Sequence, residues 1–289
     1  MRLLLLGSTG LLGQAMAQEA RERGFEIIGA ARRDADVSID ATDAHALIDL
    51  LRKQSPDAVA NCVALVDVEA CERDIGRAYA LNSLPAAVLA RWSQATGLPF
   101  IQVSTDHFFP TGADRPHLES DGVQLLNEYA RTKYAAEAFA LTAPKALVLR
   151  TSFVGVRGWD KLTFAEWVIH AIQNKIPIRL FTDAFTSSLD TMTCAGAAID
   201  LILRGYAGLI NVGARQVYSK AAFAIELAAQ LGAGQLVATY GSISELGVYR
   251  PSSLGLDVAK VQNLLGYEMP NLKEVVSSVL RQYSRVSRQ

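Results

Sequence analysis

Four leucines follow Arg2 in a short apolar run that ends at Leu6 and passes without a linker into Gly7-Ser-Thr-Gly-Leu-Leu-Gly13, after which a stretch of helical period reaches Arg23. A run that short followed by a turn with glycines at 7, 10 and 13 describes a strand–turn–helix unit. Glycines at such a junction let the chain reverse sharply and let a phosphate approach the free amides at the helix N-terminus. The spacing is GxxGxxG and not the GxGxxG of many dehydrogenases, but its place between strand and helix predicts a pyrophosphate ligand. Gly7, Thr9, Gly10, Leu11, Leu12 and Gly13 are the expected contacts.

The unit repeats along the chain. Apolar runs at Arg2–Leu6, Glu26–Ala30, Ala58–Asn61, Phe100–Ser104 and Ala146–Arg150 alternate with helical periods at Leu11–Arg23, Asp43–Lys53, Ile75–Thr96 and Glu128–Leu141. Asp43 is the expected N-cap of the second helix. This alternation predicts an α/β fold, a doubly wound parallel sheet of the Rossmann type. Beyond residue 150 it loosens and aromatic residues become frequent, so residues 1–150 are expected to form a dinucleotide-binding domain. Residues 151–289 are expected to form mainly a smaller substrate lobe that returns strands to the first sheet.

In many such sites an acid at the end of the second strand holds the ribose hydroxyls of NAD. Here that strand runs into Arg32-Arg33. Arginine offers a 2′-phosphate a charge-assisted fork where an acid would repel it, so NADP(H) is expected over NAD(H), with NAD(H) left open. With 28 basic against 29 acidic residues, the chain lacks the charge footprint of nucleic-acid or anionic-membrane binding. No apolar stretch approaches the length of a membrane span. Cys62, Cys71 and Cys194 match no disulfide or metal spacing and read as reduced thiols of a cytoplasmic protein. Asp67, Glu69 and Glu72 are expected to serve a helix dipole and not a metal. His45 and His117 are expected in solvent, and His170 packed in a helix.

Tyr129 and Lys133 stand four residues apart, one turn along the same helix face. An ammonium beside a phenol favours the phenolate and lowers its pKa, which would make the phenol a proton carrier near neutral pH. Ser104-Thr105-Asp106 ends the preceding strand, where ligands sit in open α/β sheets. With these elements the chain resembles the extended short-chain dehydrogenase/reductases and, within them, the dTDP-4-dehydrorhamnose reductase family. The resemblance spans nearly the whole chain: GSTGLLG at 7–13, NCVALVDVEACE at 61–72, LN at 81–82, STDHFF at 104–109, YARTK at 129–133, LRTSFV at 149–154 and RPSSLGLD at 250–257.

That resemblance implies NADPH-dependent reduction of the 4-keto group of a 6-deoxy sugar nucleotide. Tyr129 would give the proton, Thr105 would bond the same oxygen, Lys133 would hold the ribose and tune Tyr129, and Asn82 would support Lys133 through a water. Asp40, Cys62, Val63 and Ala64 would line the adenine and ribose. Thr105, His107, Phe153 and Arg250 would face the sugar nucleotide. Family members acting on the rhamnose precursor carry tyrosine and tryptophan where this chain has His107 and Phe153, and the Pro-Thr element expected near 183–190 is missing. The reaction type therefore stands on firmer motifs than the identity of the sugar. Two rivals remain: an epimerase or dehydratase of the same fold, and a non-catalytic regulator like the regulatory β subunit of methionine adenosyltransferase. A homodimer is compatible with the sequence.

Overall fold

The computed structural model describes residues 1–109, 115–233 and 236–286. Its centre is a parallel sheet containing β1 (Arg2–Leu6), β2 (Glu26–Ala31), β3 (Val37–Ser38), β4 (Ala58–Asn61), β5 (Phe100–Val103) and β6 (Ala146–Thr151). A seventh strand, Gly208–Val212, joins alongside β6 and gives the spatial order Gly208–Val212, β6, β5, β4, β1, β2, β3. The sheet is doubly wound from β1, as the alternation of runs predicts. Its direction of winding reverses between β1 and β4, and that switch point opens a crevice at the strands' carboxyl ends. Leu3–Leu6 are buried on both faces of the sheet, which is why β1 shows no polar alternation.

The helices follow local chemistry. In α1 (Leu11–Glu22), Leu12, Ala15, Met16 and Ala20 are buried; α2 (Ala44–Gln54) is capped by Asp43, whose side chain accepts from the His45 and Ala46 amides. The stretch 75–96, expected as one helix, is two: α4 (Ile75–Asn82) and α5 (Leu84–Thr96), preceded by α3 (Val68–Arg73). Pro85 explains the break, because proline fits only the first turn of a helix and would remove a bond from a continuous one. Asp67 caps α3 through the Ala70 amide, and Glu72 accepts from the Glu128 amide, so the three acids 67, 69 and 72 are spent on separate structural bonds. Then comes α6 (Glu128–Ala140), with Asn127 as its N-cap.

After β6 come α7 (Phe164–Gln173), α8 (Thr191–Leu203), α9 (Lys220–Gln230), α10 (Ala259–Leu265) and α11 (Leu272–Val286). One hydrophobic cluster runs from Leu3, Leu5 and Met16 to Cys194, Ala198 and Ile199 of α8, so the outer helices and the sheet share a core. Arg23 at the end of α1 reaches Asp200 of α8 at 3.2 Å. Short strand pairs, among them Phe153–Val154 with Leu189–Asp190 and Ile178–Phe181 with Ala238–Gly241, complete the later part of the chain.

Two histidines depart from expectation. His117 is buried: its ring stacks on Phe109 at 4.0 Å and its Nε2 lies 3.1 Å from the Ser253 carbonyl oxygen, pairing that draws it out of the loop's solvent face. His170 is exposed, because α7 turns Ala165, Val168, Ile169 and Ile172 inward and leaves position 170 on the far side. Among the described residues no helix is long and apolar enough to cross a membrane, and no group of three or more His, Cys, Asp or Glu is placed to hold a metal.

Candidate active site

The glycine turn is built by contact as much as by conformation. Gly7 has φ +76°, a region that side chains disfavour, and a Cβ on Gly13 would lie 2.1 Å from the Gly7 carbonyl oxygen. That proximity seats the first turn of α1 directly over the end of β1. The helix's first intrahelical bond is Gln14 N to Gly10 O, at 2.9 Å, so the amides of Leu11, Leu12 and Gly13 have no partner within the helix and remain available as donors. The Leu12 side chain itself is buried, which leaves only its backbone for a ligand.

In front of the turn lies a cleft of about 1050 Å³, walled by Gly7, Thr9 and Gly10, by Arg32–Asp34 at the end of β2, and by Cys62–Leu65 after β4. Of the residues expected at the dinucleotide, Gly7, Thr9, Gly10, Arg32, Arg33, Cys62, Val63 and Ala64 meet here. Asp40 does not line the cleft: its carboxylate takes the Thr42 amide (2.9 Å) and hydroxyl (2.8 Å), and those bonds hold it below the usual carboxylate range. Acids nevertheless lie close to the arginines. Asp34 shares the wall, and Asp36 accepts the Gly29 amide at 2.7 Å.

The side chains expected to be catalytic lie close to the end of that cleft wall at Leu65. Tyr129 packs in a cluster with Val68, Cys71 and Ala78, against which Leu65 also packs. Burial pushes the Tyr129 phenol up to about 12, opposed by its hydrogen-bonding neighbour Thr105 and reinforced by the Asp106 carboxylate. The expected lowering by Lys133 is not what the structure shows. Lys133, buried in α6, donates instead to the Val103 carbonyl at 2.7 Å, and burial pushes its ammonium down to about 8 while the Glu137 carboxylate and the Cys62 sulfur resist that change. A weakened cation turned toward the end of β5 has little leverage on the phenol.

Asn82 makes direct bonds on both sides of its amide. Its Oδ1 accepts the Leu65 amide at 2.6 Å, and its Nδ2 donates to the Leu65 carbonyl (3.2 Å) and to Thr132 Oγ1 (2.9 Å). Both amide hydrogens are thus used in tying the cleft wall to α6, so Asn82 positions the backbone that carries Tyr129 and Lys133. Ser83 adds a second tie, donating to the Thr132 carbonyl at 2.7 Å.

On the substrate side, the His107 ring meets Tyr129 edge to face, with centroids 5.5 Å apart and planes at 89°. Burial, with the cations Lys220 and Arg250 nearby, pushes His107 down to about 4, so the ring is neutral at physiological pH. Its Nδ1 is buried without a partner among the described residues. Arg250 reaches the same neighbourhood and pairs with Glu69 at 2.6 Å. Phe153 is half-buried against the shared core, so only part of its ring faces outward.

Two features go beyond the roles read from the motifs. Asp106 is buried, its pKa pushed up to about 7 by burial, and a polar chain leads from it through Thr186 Oγ1 (3.4 Å) to Ser188 Oγ (2.9 Å) and Ser152 Oγ (2.7 Å). Its place in the Ser104-Thr105-Asp106 strand end was its sequence signal; the partner Thr186, eighty residues away, had none. The other is the loop Arg157–Lys161, all of whose residues line the same cleft.

The fold and the site define the class: an oxidoreductase built on a dinucleotide-binding parallel sheet. Comparison with known proteins narrows it. The chain belongs to the RmlD substrate binding domain family, whose model matches residues 1–285. It is 28% identical to the Haloferax volcanii protein named "Probable low-salt glycan biosynthesis reductase Agl14", across 97% of this chain and 98% of that one. It is 25% identical to the dTDP-4-dehydrorhamnose reductase of Escherichia coli, across 98% of both. The fold superposes on dTDP-4-dehydrorhamnose reductase from Bacillus anthracis, solved in complex with NADP, with a TM-score of 0.87 at 21% identity, covering 97% of this chain and 98% of that chain. The resemblance read from the motifs is therefore correct at the level of the family.

Proposed function

We propose that this protein is an NADPH-dependent reductase of the 4-keto group of a 6-deoxy sugar nucleotide, with Tyr129 as proton donor. The observation that carries it is the Tyr129–Thr105 pair, held under the wall of a cleft that begins at a glycine turn. The residues fit a dinucleotide. The turn brings Gly7 and Gly10 to the cleft surface; the amides at the start of α1 would hold a pyrophosphate, and Arg32 and Arg33 would hold a 2′-phosphate. Bound there, the dinucleotide would supply a hydride to the sugar carbonyl. The chain's own part is to manage the proton and the water.

Tyr129 keeps its proton at neutral pH because burial disfavours the phenolate, so it is poised to give that proton to an oxygen gaining negative charge. Thr105 orients the same oxygen, and the buried setting excludes water that would compete for it. Lys133 fixes the end of β5 to α6 and, once its ammonium turns outward, holds ribose hydroxyls. His107, neutral and unpaired at Nδ1, offers the sugar a hydrogen-bonding group in place of the family's phenol. This altered contact supports a sugar other than dTDP-4-dehydrorhamnose as the preferred substrate. Free thiols at Cys62, Cys71 and Cys194 suit a cytoplasmic enzyme.

The test is turnover with NADPH against a panel of 4-keto sugar nucleotides, in the native protein and in Tyr129→Phe. The variant should lose about 100- to 10,000-fold in kcat with NADPH affinity nearly unchanged. Full turnover by Tyr129→Phe would remove the phenol from the mechanism. A native protein that binds NADPH and reduces no member of the panel would instead favour a regulatory role.

A further inference from the structure

The loop from Arg157 to Lys161 belongs to no catalytic motif, yet all five of its residues line the dinucleotide cleft, across from Gly7–Gly10 and Arg32–Asp34. Its ends are held rigidly. The buried Glu166 carboxylate accepts the amides of Arg157 (2.9 Å), Gly158 (2.7 Å) and Thr163 (2.7 Å), and Thr163 Oγ1 donates to the Gly155 carbonyl at 2.7 Å. Gly158, at φ +73°, rests on Val286 of α11, where an added Cβ would come within 2.8 Å of Cγ1. Such a clasp fixes the loop's backbone and leaves its side chains to the cleft.

Those side chains form a distinct surface. The Arg157 guanidinium lies 4.0 Å over the Trp159 ring, a cation–π stack, and its Nη2 donates to the Lys161 carbonyl at 2.9 Å. Its Nε is buried with no hydrogen-bond partner among the described residues, an unspent donor beside a cleft. Trp159 is 46% exposed, and it also borders a neighbouring hollow formed with Ser8, Thr9, Gln14 and Asp36. A large apolar ring held half in water next to the glycine turn gains burial when that turn is occupied.

We propose that this loop is the outer wall of the dinucleotide site, with Arg157 meeting the pyrophosphate oxygens opposite the α1 amides and Trp159 covering the glycine turn. The proposal rests on the dinucleotide reading above. Amides on one side and a guanidinium on the other give the diphosphate charge-assisted bonds from both faces. The pyrophosphate is common to NADPH and NADH, so the loop should serve both alike, whereas Arg32 serves the 2′-phosphate alone.

Calorimetric titration of the full chain with NADPH and with NADH tests this. Arg157→Gln should weaken both by about tenfold or more, the scale of one charge-assisted hydrogen bond, and in equal proportion. Trp159→Ala, a change at an exposed ring, should act in the same direction and serves where Arg157→Gln fails to fold. Arg32→Gln, which removes the charge without supplying an acid for the ribose, should weaken NADPH only. The part of the native protein's tryptophan fluorescence that is lost in Trp159→Ala should change when either nucleotide is added, since Trp159 is 46% exposed without one. Unchanged affinities in both loop variants, a loss confined to NADPH, or Trp159 fluorescence indifferent to nucleotide would each overturn the assignment. A native protein that binds neither nucleotide would strike the dinucleotide reading itself, a result distinct from variants that bind as tightly as native.

Discussion

Lys133 is 2% exposed, and burial moves its ammonium from 10.5 down to about 8. Each pH unit of that displacement is about 1.4 kcal/mol, so holding the cation inside the folded protein at pH 7 costs about 3 kcal/mol. Lys133→Met keeps the length of the chain and removes the charge. The Val103 carbonyl loses the ammonium but keeps the Gln102 side-chain amide at 2.9 Å, so the forfeited hydrogen bond costs only about 1 kcal/mol. The variant should therefore be more stable than the native protein at pH 7 by about 2 kcal/mol, while losing turnover. The pH dependence is a second, stricter signature. Below pH 8 lysine is charged in both folded and unfolded chains, and the penalty is complete. Between about 8 and 10.5 the unfolded chain binds the extra proton, so native stability rises with pH and the variant's advantage shrinks toward zero by about pH 10. Urea denaturation of both proteins at pH 7 and pH 10 measures this. A variant less stable than native at pH 7, or a difference that stays the same at both pH values, would refute the reasoning that Lys133 is kept for chemistry at the expense of stability.

Other substitutions separate packing from binding. Gly13→Ala puts a Cβ 2.1 Å from the Gly7 oxygen and should cost about 3 kcal/mol, lowering Tm by several degrees in a thermal melt; Gly10→Ala meets the same oxygen at 3.1 Å, so it should leave Tm within about 2 °C and show its damage in NADPH titration. Asp106, raised to about 7, binds its proton more tightly folded than unfolded, so native stability falls as pH rises from about 4 to 7. Asp106→Asn should thus gain about 2–3 kcal/mol on the native protein between pH 5 and pH 8 in denaturant titrations, and a constant difference would show that Asp106 is not the group responsible.

The sheet was legible because its strands are buried on both faces and announce themselves as apolar runs: β1 and β4 occupy the expected residues, and Asp43 caps the helix it was expected to cap. Local rules also explain the main miss, since Pro85 marked a restart that helical periodicity alone smoothed over. Much of the glycine turn's cleft could be named from spacing, because its residues are close in sequence or follow sheet ends. Directions of side chains could not. Lys133 and Tyr129 share a helix face, yet a carbonyl at the end of β5 captures the ammonium, and only the tertiary fold puts it there. Asn82 likewise found three partners across a gap of 17 and of 50 residues that no local pattern encodes. The outer loop was hidden for the same reason, lying some 150 residues from the turn it faces.

The edge strand Gly208–Val212 sets an order of events for a chain growing from the ribosome. Until it arrives, β6 presents an unpaired edge, and until α8, which precedes it, has emerged, α1 lacks the Cys194–Ile199 surface that covers its buried side. Residues 1–151 therefore leave the exit tunnel with both an unpaired strand edge and an uncovered helix; the helix gains its cover when residues 194–199 emerge, and the strand edge is closed only after residue 207. Exposed strand edges are templates for pairing with other chains. Shortening the interval between β6 and its partner, or slowing synthesis across it, should change the yield of folded protein far more than the stability of whatever does fold.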